Sequence, residues 1–436
     1  MNRQTFQILR MLASPRVTRT PLKVMRQLRR EGRPRLPESV QKEVARHRPP
    51  GLNTFQFVQR WLNGELLSRH RGQWVLNSFL PPFPGPAYER MFTNLLSGRR
   101  LSPVSAYCAV TAKCPYQCWH CSLHGRRQGH LTTEQWLAAI EQLHGIGASV
   151  IGFTGGEPLC REDLPELVRA ATAGGAEAIV FTSGALLDEK RAERLREAGL
   201  WGLAVSLDHP SESRFDRMRG RPGAFQQALR ALKIARDSGF YTMLSTVATR
   251  PVVEQCLYLQ LYEIAAEVGA HEHRLIEPMP CGKLAGADQA TLLTPEHIRE
   301  IRAFHIETNR RGKLPKVCAF NQIESPEVFG CGAGTQHLFI DSAGEVCPCD
   351  FTPLSFGNVT GEPLPRVWQR MNTAIGAPRR HCFIQCHRGK INKHPEQGFP
   401  LPPEVSEKIC AEAGREPLPD YFALIMGATT AKKNAA

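Results

Sequence analysis

The residues with the clearest chemical potential are Cys114, Cys118 and Cys121, which are spaced Cys-x3-Cys-x2-Cys and follow a strand-like run at 105–111. Thiolates are soft ligands that suit iron–sulfur clusters or zinc, and an iron–sulfur cluster normally takes four of them. Three neighbouring sulfurs without a fourth close by predict a cluster in which one iron is open to another ligand. A zinc site remains the alternative, because any of three nearby histidines could supply the fourth ligand.

A second informative stretch is Val150 to Pro158, which lies about thirty residues after the cysteines and contains Gly155, Gly156 and Glu157. Its pattern predicts a buried strand that ends in a glycine turn with one carboxylate. The cysteine spacing followed by this Gly-Gly-Glu-Pro turn resembles the radical S-adenosylmethionine (SAM) superfamily. The resemblance implies a [4Fe-4S] cluster on the three cysteines, with SAM chelating the fourth iron through its amino and carboxylate groups. It also implies that the turn receives the SAM ammonium, with the glycines allowing close approach and Glu157 as the negative acceptor.

The same resemblance implies further cofactor-binding residues at strand ends. His120 precedes the third cysteine, where relatives usually carry an aromatic residue beside the adenine. Ser206 and Asp208 end a predicted strand at which relatives place polar groups on the SAM ribose. An ordinary loop histidine and a turn aspartate are the alternative interpretations.

Strands and helices alternate from residue 105 onward. Strands are predicted at 105–111, 150–154, 178–182, 202–207, 241–247 and 272–277, and helices at about 132–146, 162–173, 188–198, 223–238, 254–268 and 295–310. Six βα units predict a parallel sheet with right-handed crossovers, and the motifs lie at the carboxyl ends of its strands. The resemblance implies an α/β fold, a partial (β/α)6 barrel, with a basic N-terminal helical segment and a small Cys-rich α+β extension at the C-terminal end.

The C-terminal third contains a second group of cysteines, namely Cys331 and Cys349 on either side of a predicted hairpin, and a later pair, Cys382 and Cys386. Four such sulfurs could hold another iron–sulfur cluster or a zinc ion. The spacing resembles the twitch or SPASM extensions of radical SAM enzymes. Because the middle Cys-x2-Cys and the last cysteine of a full SPASM domain are not evident, we expect one auxiliary cluster, with Cys347 as a substitute ligand.

Two residues are candidates for catalysis. Asp350 lies in a Pro-Cys-Asp-Phe run that resembles sulfatase-maturing members of the SPASM group, and the resemblance implies that it takes a proton as the substrate is oxidised. A turn carboxylate is the alternative. Cys281 follows the sixth predicted strand, where a thiol could donate a hydrogen atom to a substrate radical. Plain packing of a free cysteine is its alternative interpretation.

Charge is distributed unevenly along the 436 residues. Residues 1–100 contain 19 Lys/Arg against 5 Asp/Glu, which accounts for the net charge of +14 of the whole chain. Two short amphipathic patterns within residues 1–35 could bind an anionic membrane surface, and a solvated arm is the alternative. The expected domains are 1–100, 101–315 for the barrel, 316–427 for the auxiliary domain, and a disordered tail at 428–436.

We expect an enzyme that abstracts a hydrogen atom from a peptide, a small metabolite or a lipid, with flavodoxin or ferredoxin as reductant. Fourteen cysteines indicate metal binding in a reducing compartment, and no run reaches the about 18 apolar residues of a membrane span. A cytoplasmic location is therefore predicted, with peripheral attachment at the inner face of the membrane as a variant. An RNA-modifying radical SAM enzyme is the alternative function. A zinc-stabilised nucleic-acid-binding protein is disfavoured, because it leaves the glycine turn without a purpose.

Overall fold

The computed structural model describes residues 53–97, 103–287 and 291–427, together with isolated positions at 15, 18, 19, 22, 23, 26 and 30. The predicted amphipathic patterns of residues 1–35, those isolated positions aside, and the predicted tail at 428–436 lie outside the described residues. Within the described part of the chain, no helix has the length and apolar character that crossing a membrane requires.

Residues 53–97 form two helices and a small hairpin. Their elements are α1 (Thr54–Leu62), β1 (Ser68–His70), β2 (Gln73–Val75) and α2 (Pro86–Ser97). The first helix begins with a capping box, in which Asn53 accepts from the Gln56 backbone while the Gln56 side chain accepts from the Asn53 backbone.

The barrel consists of alternating strands and helices. Its elements are β3 (Ser105–Ala109), α3 (Thr133–Gly145), β4 (Val150–Thr154), α4 (Leu164–Ala173), β5 (Glu177–Thr182), α5 (Glu189–Glu197), β6 (Gly202–Ser206), α6 (Glu212–Arg219), α7 (Ala224–Asp237), β7 (Tyr241–Val247), α8 (Arg250–Glu254), α9 (Leu257–Glu267), β8 (Glu272–Ile276), α10 (Pro295–Arg310) and β9 (Lys316–Ala319). The six predicted βα units are confirmed, with two helices instead of one after each of β6 and β7.

The C-terminal part contains a hairpin and four longer helices. Its elements are α11 (Phe320–Ile323), β10 (His337–Ile340), β11 (Val346–Cys347), α12 (Leu364–Ile375), α13 (Phe383–Ile391), α14 (Pro403–Glu412) and α15 (Asp420–Gly427). The predicted turn between the two hairpin strands is present, and Gly344 adopts a φ of 90° there. This is a conformation that glycine reaches without steric cost.

One nine-stranded sheet, in the order β11-β10-β3-β4-β5-β6-β7-β8-β9, runs through both predicted domains. All neighbours pair in parallel except β10 and β11. The hairpin strand β10 pairs with β3 in the register Leu338↔Ala106 and Ile340↔Cys108, and β9 pairs with β8. The barrel and the extension therefore share backbone hydrogen bonds at two strand pairings across the predicted boundary between residues 315 and 316.

Residues 64–79 close the end of the barrel opposite to the cysteine loop. The Lys316 ammonium, which is fully buried, donates to the backbone carbonyls of Leu66, Val75 and Leu76 at 3.1, 2.8 and 3.0 Å. Glu272 accepts from the Ser78 hydroxyl and backbone amide. The described part of the basic N-terminal segment is thus packed against the barrel, and the predicted membrane contact falls largely on the undescribed residues before it.

We predict that Lys316→Met destabilises the fold by about 3 kcal/mol, because three buried carbonyls lose their donor and Glu272 loses a nearby cation. Burial lowers the pKa of Lys316, while Glu272 and Glu65 raise it. The measurement is the urea midpoint followed by circular dichroism. Lys313→Met, at an exposed position three residues earlier, is the matched control. Equal midpoints for the two variants would contradict this role of Lys316.

Candidate active site

A cavity of about 680 Å³ lies among the loops that follow the barrel strands and reaches both predicted cysteine sites. Three lining thiols belong to the loop after β3, and three to the C-terminal extension. They are Cys114, Cys118 and Cys121 on one side, and Cys331, Cys349 and Cys382 on the other. The structure thus brings residues more than 200 positions apart in the sequence around one enclosed volume.

The Gly-Gly turn is packed against the start of the cysteine loop. The backbone amide of Gly156 donates to the Thr111 carbonyl at 2.7 Å, and that of Glu157 donates to the Lys113 carbonyl at 2.8 Å. A Cβ at Gly155 would lie 2.3 Å from the Thr111 oxygen, and one at Gly156 would lie 2.3 Å from the Lys113 oxygen. Both glycines line the cavity. The lack of a Cβ is required, however, by their close contact with the backbone of the cysteine loop.

The Glu157 carboxylate is buried and accepts hydrogen bonds from protein groups on both oxygens. Its donors are the Thr182 hydroxyl at 2.7 Å, the Ser183 amide and hydroxyl at 2.8 and 2.5 Å, and the Leu159 amide at 3.2 Å. Four donors use the acceptor capacity of a carboxylate. The Glu157 oxygens are thus engaged in holding the turn after β5, and the predicted contact with a SAM ammonium remains a prediction.

Asp208 is also engaged within the protein. Its carboxylate forms an ion pair with Arg219 at 2.5 Å and accepts from the Val247 amide at 2.8 Å. Arg219 in turn donates to the Cys118 sulfur at 3.3 Å. Asp208 therefore holds this guanidinium beside a cysteine ligand. It also lines the cavity, and its predicted contact with the ribose remains a prediction.

Sequence reasoning missed Arg219 as a contact of the cysteine loop. Backbone carbonyls at the end of α6 also hold the cysteine loop, since Gln117 and Trp119 donate to Arg219 and Met218 at 3.0 and 3.1 Å. A donor to a thiolate sulfur stabilises the charged form that binds metal. No spacing rule in the sequence links residue 219 to residue 118, so the contact follows from the fold alone.

His120 and Ser206 both line the cavity. The His120 ring lies edge-to-face on Trp119, and its Nε2 is 3.8 Å from Asp208. Burial lowers the pKa of His120 to about 4 despite this carboxylate, so the ring is neutral at neutral pH. A neutral ring and a hydroxyl, both facing the same cavity, suit the predicted contacts with adenine and ribose, which remain predictions.

The four cysteines of the extension lie around one point. The Cys331 and Cys382 thiols hydrogen-bond to each other, which lowers the pKa of Cys331 to about 7. Cys386 follows Cys382 by four residues on α13. No three of these described sulfurs lie within 4.8 Å of one another, whereas zinc–sulfur bonds of about 2.3 Å hold sulfurs closer than that. The spread favours a cluster of several irons over a single zinc ion.

The same comparison applies to the loop after β3, because its sulfurs also form no group within 4.8 Å among the described residues. Cys114 accepts from the Tyr116 amide at 3.5 Å, and Cys118 accepts from a guanidinium. Three thiols that face one cavity, with donors already aimed at two of them, fit a cluster with an open iron.

Asp350 lies in the cavity wall beside the auxiliary cysteines. Its Oδ1 accepts from the Cys349 thiol at 3.1 Å and is 3.8 Å from Nε2 of His337. The other ring nitrogen of His337 is 2.8 Å from the Ser105 hydroxyl on β3. The ring sits edge-to-face on Tyr107. The position of Asp350 is therefore tied to the barrel strand that leads into the cysteine loop.

Three other cysteines do not line the cavity. Cys281 is buried, which raises its pKa to about 12, and it is absent from the lining although Met279 and Lys283 are present. Cys347 is buried against Arg126, and Cys318 points towards Glu272 inside the barrel. The structure gives Cys281 no direct path to a substrate in this cavity, so its predicted role as a hydrogen-atom donor lacks structural support.

Both the barrel and the C-terminal extension match known protein families. Residues 109–255 match the model of the radical SAM superfamily, and residues 331–389 match that of the SPASM iron–sulfur cluster-binding domain. The chain is 27% identical over 285 residues to the AdoMet-dependent heme synthase of Nitratidesulfovibrio vulgaris, which covers 60% of this chain and 77% of that protein. It is 29% identical over 275 residues to the PqqA peptide cyclase of Gluconobacter oxydans, covering 61% and 76%.

Among solved structures, Streptococcus suis SuiB bound to S-adenosylmethionine superimposes with a TM-score of 0.53 at 15% identity, over 71% of this chain and 79% of that one. At this identity the likeness concerns the fold, which is the partial α/β barrel with its extension. With both domain matches and the two cysteine sites that meet at one cavity, this chain is a member of the radical SAM superfamily of enzymes with a SPASM iron–sulfur domain, and it uses SAM, a SAM-binding [4Fe-4S] cluster and auxiliary iron–sulfur ligation.

Proposed function

We propose that this enzyme oxidises its substrate at a C–H bond, removing one hydrogen atom, then one electron and one proton. The observation that carries the proposal is that a single cavity is lined by both cysteine sites and by Asp350. When bound, the first cluster and SAM supply a 5′-deoxyadenosyl radical that abstracts the hydrogen atom, and the auxiliary cluster supplies an acceptor for the electron.

The first site positions the cofactors. We assign Cys114, Cys118 and Cys121 as ligands of the SAM-binding cluster, with Arg219 donating to one of their sulfurs. Ser183, held by Glu157, and Ser206 present hydroxyls to the SAM side of the cavity. The glycine turn keeps the cysteine loop in place, so the ligands and the SAM-facing hydroxyls are fixed by the same hydrogen bonds.

The second site receives the proton. We assign Cys331, Cys349, Cys382 and Cys386 as auxiliary cluster ligands and Asp350 as the proton acceptor. Its carboxylate lies in the cavity wall, and His337 is close enough to receive the proton through a small rearrangement. A base beside the electron acceptor suits an oxidation, because the substrate can then lose an electron and a proton together without a change in its net charge.

The substrate class follows from the relatives and the cavity. One relative is named a heme synthase and another a peptide cyclase, so a tetrapyrrole and a peptide are the first two classes to test. The lipid variant depends on the basic charge before residue 53, and liposome flotation with anionic vesicles tests it. A protein that does not float with these vesicles would remove the basis of that variant.

We predict about eight iron atoms per chain after anaerobic reconstitution. Cys331→Ser/Cys349→Ser should lose about four of them and still cleave SAM to 5′-deoxyadenosine under dithionite. The Cys114→Ser/Cys118→Ser/Cys121→Ser variant should lose about four and all cleavage. Iron analysis and chromatography of the nucleoside make these measurements.

Cys256→Ser, at an exposed cysteine outside both sites, is the control and should match the wild type. Zinc retained in place of iron in the anaerobically prepared wild type would refute the auxiliary cluster. Iron-loaded wild type that never releases 5′-deoxyadenosine would refute the whole proposal.

For any substrate that the wild type turns over, Asp350→Asn should slow product formation by about 100-fold or more, because the proton acceptor is lost. Formation of 5′-deoxyadenosine should persist, since hydrogen-atom abstraction precedes proton loss. Asp350→Glu should restore part of the rate. Asp237→Asn, at an exposed aspartate on α7, serves as the matched control. Equal losses of nucleoside and product in Asp350→Asn would show that this residue positions the site and is not the base.

A further inference from the structure

Arg274 lies at the floor of the cavity, on the inward face of β8. Its side chain is 1% exposed, and its guanidinium lies between two aromatic rings, 4.4 Å from the Phe79 centroid and 5.0 Å from that of Phe181. Phe79 belongs to the segment that closes the barrel, so this segment also shapes the cavity floor. All three residues line the cavity.

The polar contacts of this guanidinium are few. The guanidinium donates to the Tyr107 hydroxyl, and Nη1 lies 4.0 Å from the Met243 sulfur. The buried Nε has no partner among the described residues. No carboxylate of the described residues lies within 4 Å of it. A guanidinium carries five donors in a planar fork that matches a carboxylate or phosphate, so most of its capacity is unused.

The nearby carboxyl groups are committed elsewhere. Those that line the cavity interact with other groups: Asp208 with Arg219, Glu277 with Gln385, Asp341 with two backbone amides, and Asp350 with Cys349. The remaining one, Glu324, is buried and accepts from the Gly332 backbone amide, and burial raises its pKa well above its usual value. None of them offers Arg274 a counter-ion.

Below Arg274 lies a group of buried charged residues, Lys316, Glu272 and Glu65, whose charges compensate one another without it. Lys316 lies close enough to Glu272 and Glu65 for both to raise its pKa, while burial raises the pKa of Glu65 well above its usual range. Glu272 then balances Lys316. A buried charge without a partner is costly, so the positive charge of Arg274 calls for an anion that enters from the cavity.

We propose that Arg274 binds a carboxylate group of the substrate at the cavity floor. This inference rests on the proposed function, since it takes the cavity as the substrate site. The two flanking rings hold the guanidinium in position, and a bidentate carboxylate on Arg274 would lie close to the Tyr107 hydroxyl. Tyr107 also contacts His337, so the same anchor places the substrate beside the proposed proton acceptor. The substrate is therefore an organic acid, such as a tetrapyrrole with propionate groups or a peptide with an acidic residue or free C-terminus.

The test measures binding to the reconstituted full-length protein with saturating SAM. The first pair of probes is propionate and propionamide, observed by ligand-detected NMR. The tetrapyrrole arm compares zinc protoporphyrin IX with its dimethyl ester by fluorescence, and the peptide arm compares a Glu-containing peptide with its Gln, C-terminally amidated counterpart. The variants are Arg274→Gln and Arg274→Lys, with Arg191→Gln at a surface position of α5 as the matched control.

We expect the wild type and Arg191→Gln to prefer the acid of at least one pair by about tenfold or more, the effect of a charged hydrogen bond. Arg274→Gln should abolish this preference and leave binding of the neutral probe and of SAM unchanged. Arg274→Lys should keep part of it, since the charge remains. The arm that shows the preference identifies the source of the carboxylate.

Equal binding of acid and neutral probe by the wild type in all three pairs would overturn the inference, as would a preference that survives Arg274→Gln. A loss of SAM binding in Arg274→Gln would assign the residue to the cosubstrate instead. Iron content and 5′-deoxyadenosine release are measured on the same samples. If they are normal while the carboxylate preference is absent, this inference fails and the proposed function stands.

A stability measurement separates this role from a structural one. Removing an unpaired buried charge relieves its desolvation cost, so without ligand Arg274→Met should unfold at the same urea concentration as the wild type or a higher one. A clearly lower midpoint, comparable to that expected for Lys316→Met, would show that Arg274 is held for the fold and would overturn the proposal.

Discussion

The pairing of β3 with β4 on one side and with β10 on the other is the constraint on which the active site depends. The cysteine loop leaves the carboxyl end of β3, the glycine turn leaves that of β4, and β10 leads into the hairpin that carries Cys349. Because parallel strands place their carboxyl ends at the same edge of a sheet, the β3–β4 pairing brings the cysteine loop and the glycine turn together. The antiparallel strand β11 then returns the chain along β10, so that Cys349 lies level with the start of β10 and beside the same cavity. The extension is thus an addition to the barrel sheet, with its site fixed by strand register.

Buried charges in this site mainly position other groups. Glu157 uses its oxygens on the turn after β5, and Asp208 uses its carboxylate to hold Arg219 against Cys118. A buried carboxylate that accepts several hydrogen bonds is well satisfied and rigid, which suits a support for a reactive cofactor. The cavity is lined by hydroxyls, rings and thiols together with charged side chains such as Arg274 and Asp350.

Much of this arrangement could be predicted from the sequence, and the remainder has a common physical cause. The strands from 105 to 277 were predicted because each is a short apolar run followed by a helical pattern, and local periodicity is enough for that. The cysteines at 114, 118 and 121 were found because their spacing is itself the signal. The roles of Arg219 and Asp208 were not found, since an ion pair between a strand end and a helix end depends on three-dimensional proximity.

The N-terminal segment shows the same limit. Its composition predicted a basic helical or extended arm, yet residues 64–79 form the lower wall of the barrel, and Phe79 reaches the cavity. Composition gives the net charge of this segment, but it does not show that its backbone carbonyls accept hydrogen bonds from Lys316, more than 200 residues away.

The inward face of β8 explains how one barrel holds both the mutually stabilising charges of Glu272 and Lys316 and a cation, Arg274, that has no counter-ion in the described part of the chain. Strand side chains alternate, so Glu272, Arg274 and Ile276 all point inward at successive heights. Glu272 lies level with Lys316, its partner in the neighbouring strand register, and both are covered by the N-terminal segment. Arg274 lies one layer higher, where the cavity begins and where no carboxylate of the described residues is within 4 Å of the guanidinium. Two residues along one strand are enough to separate a charge that the fold compensates from one that it leaves for a ligand.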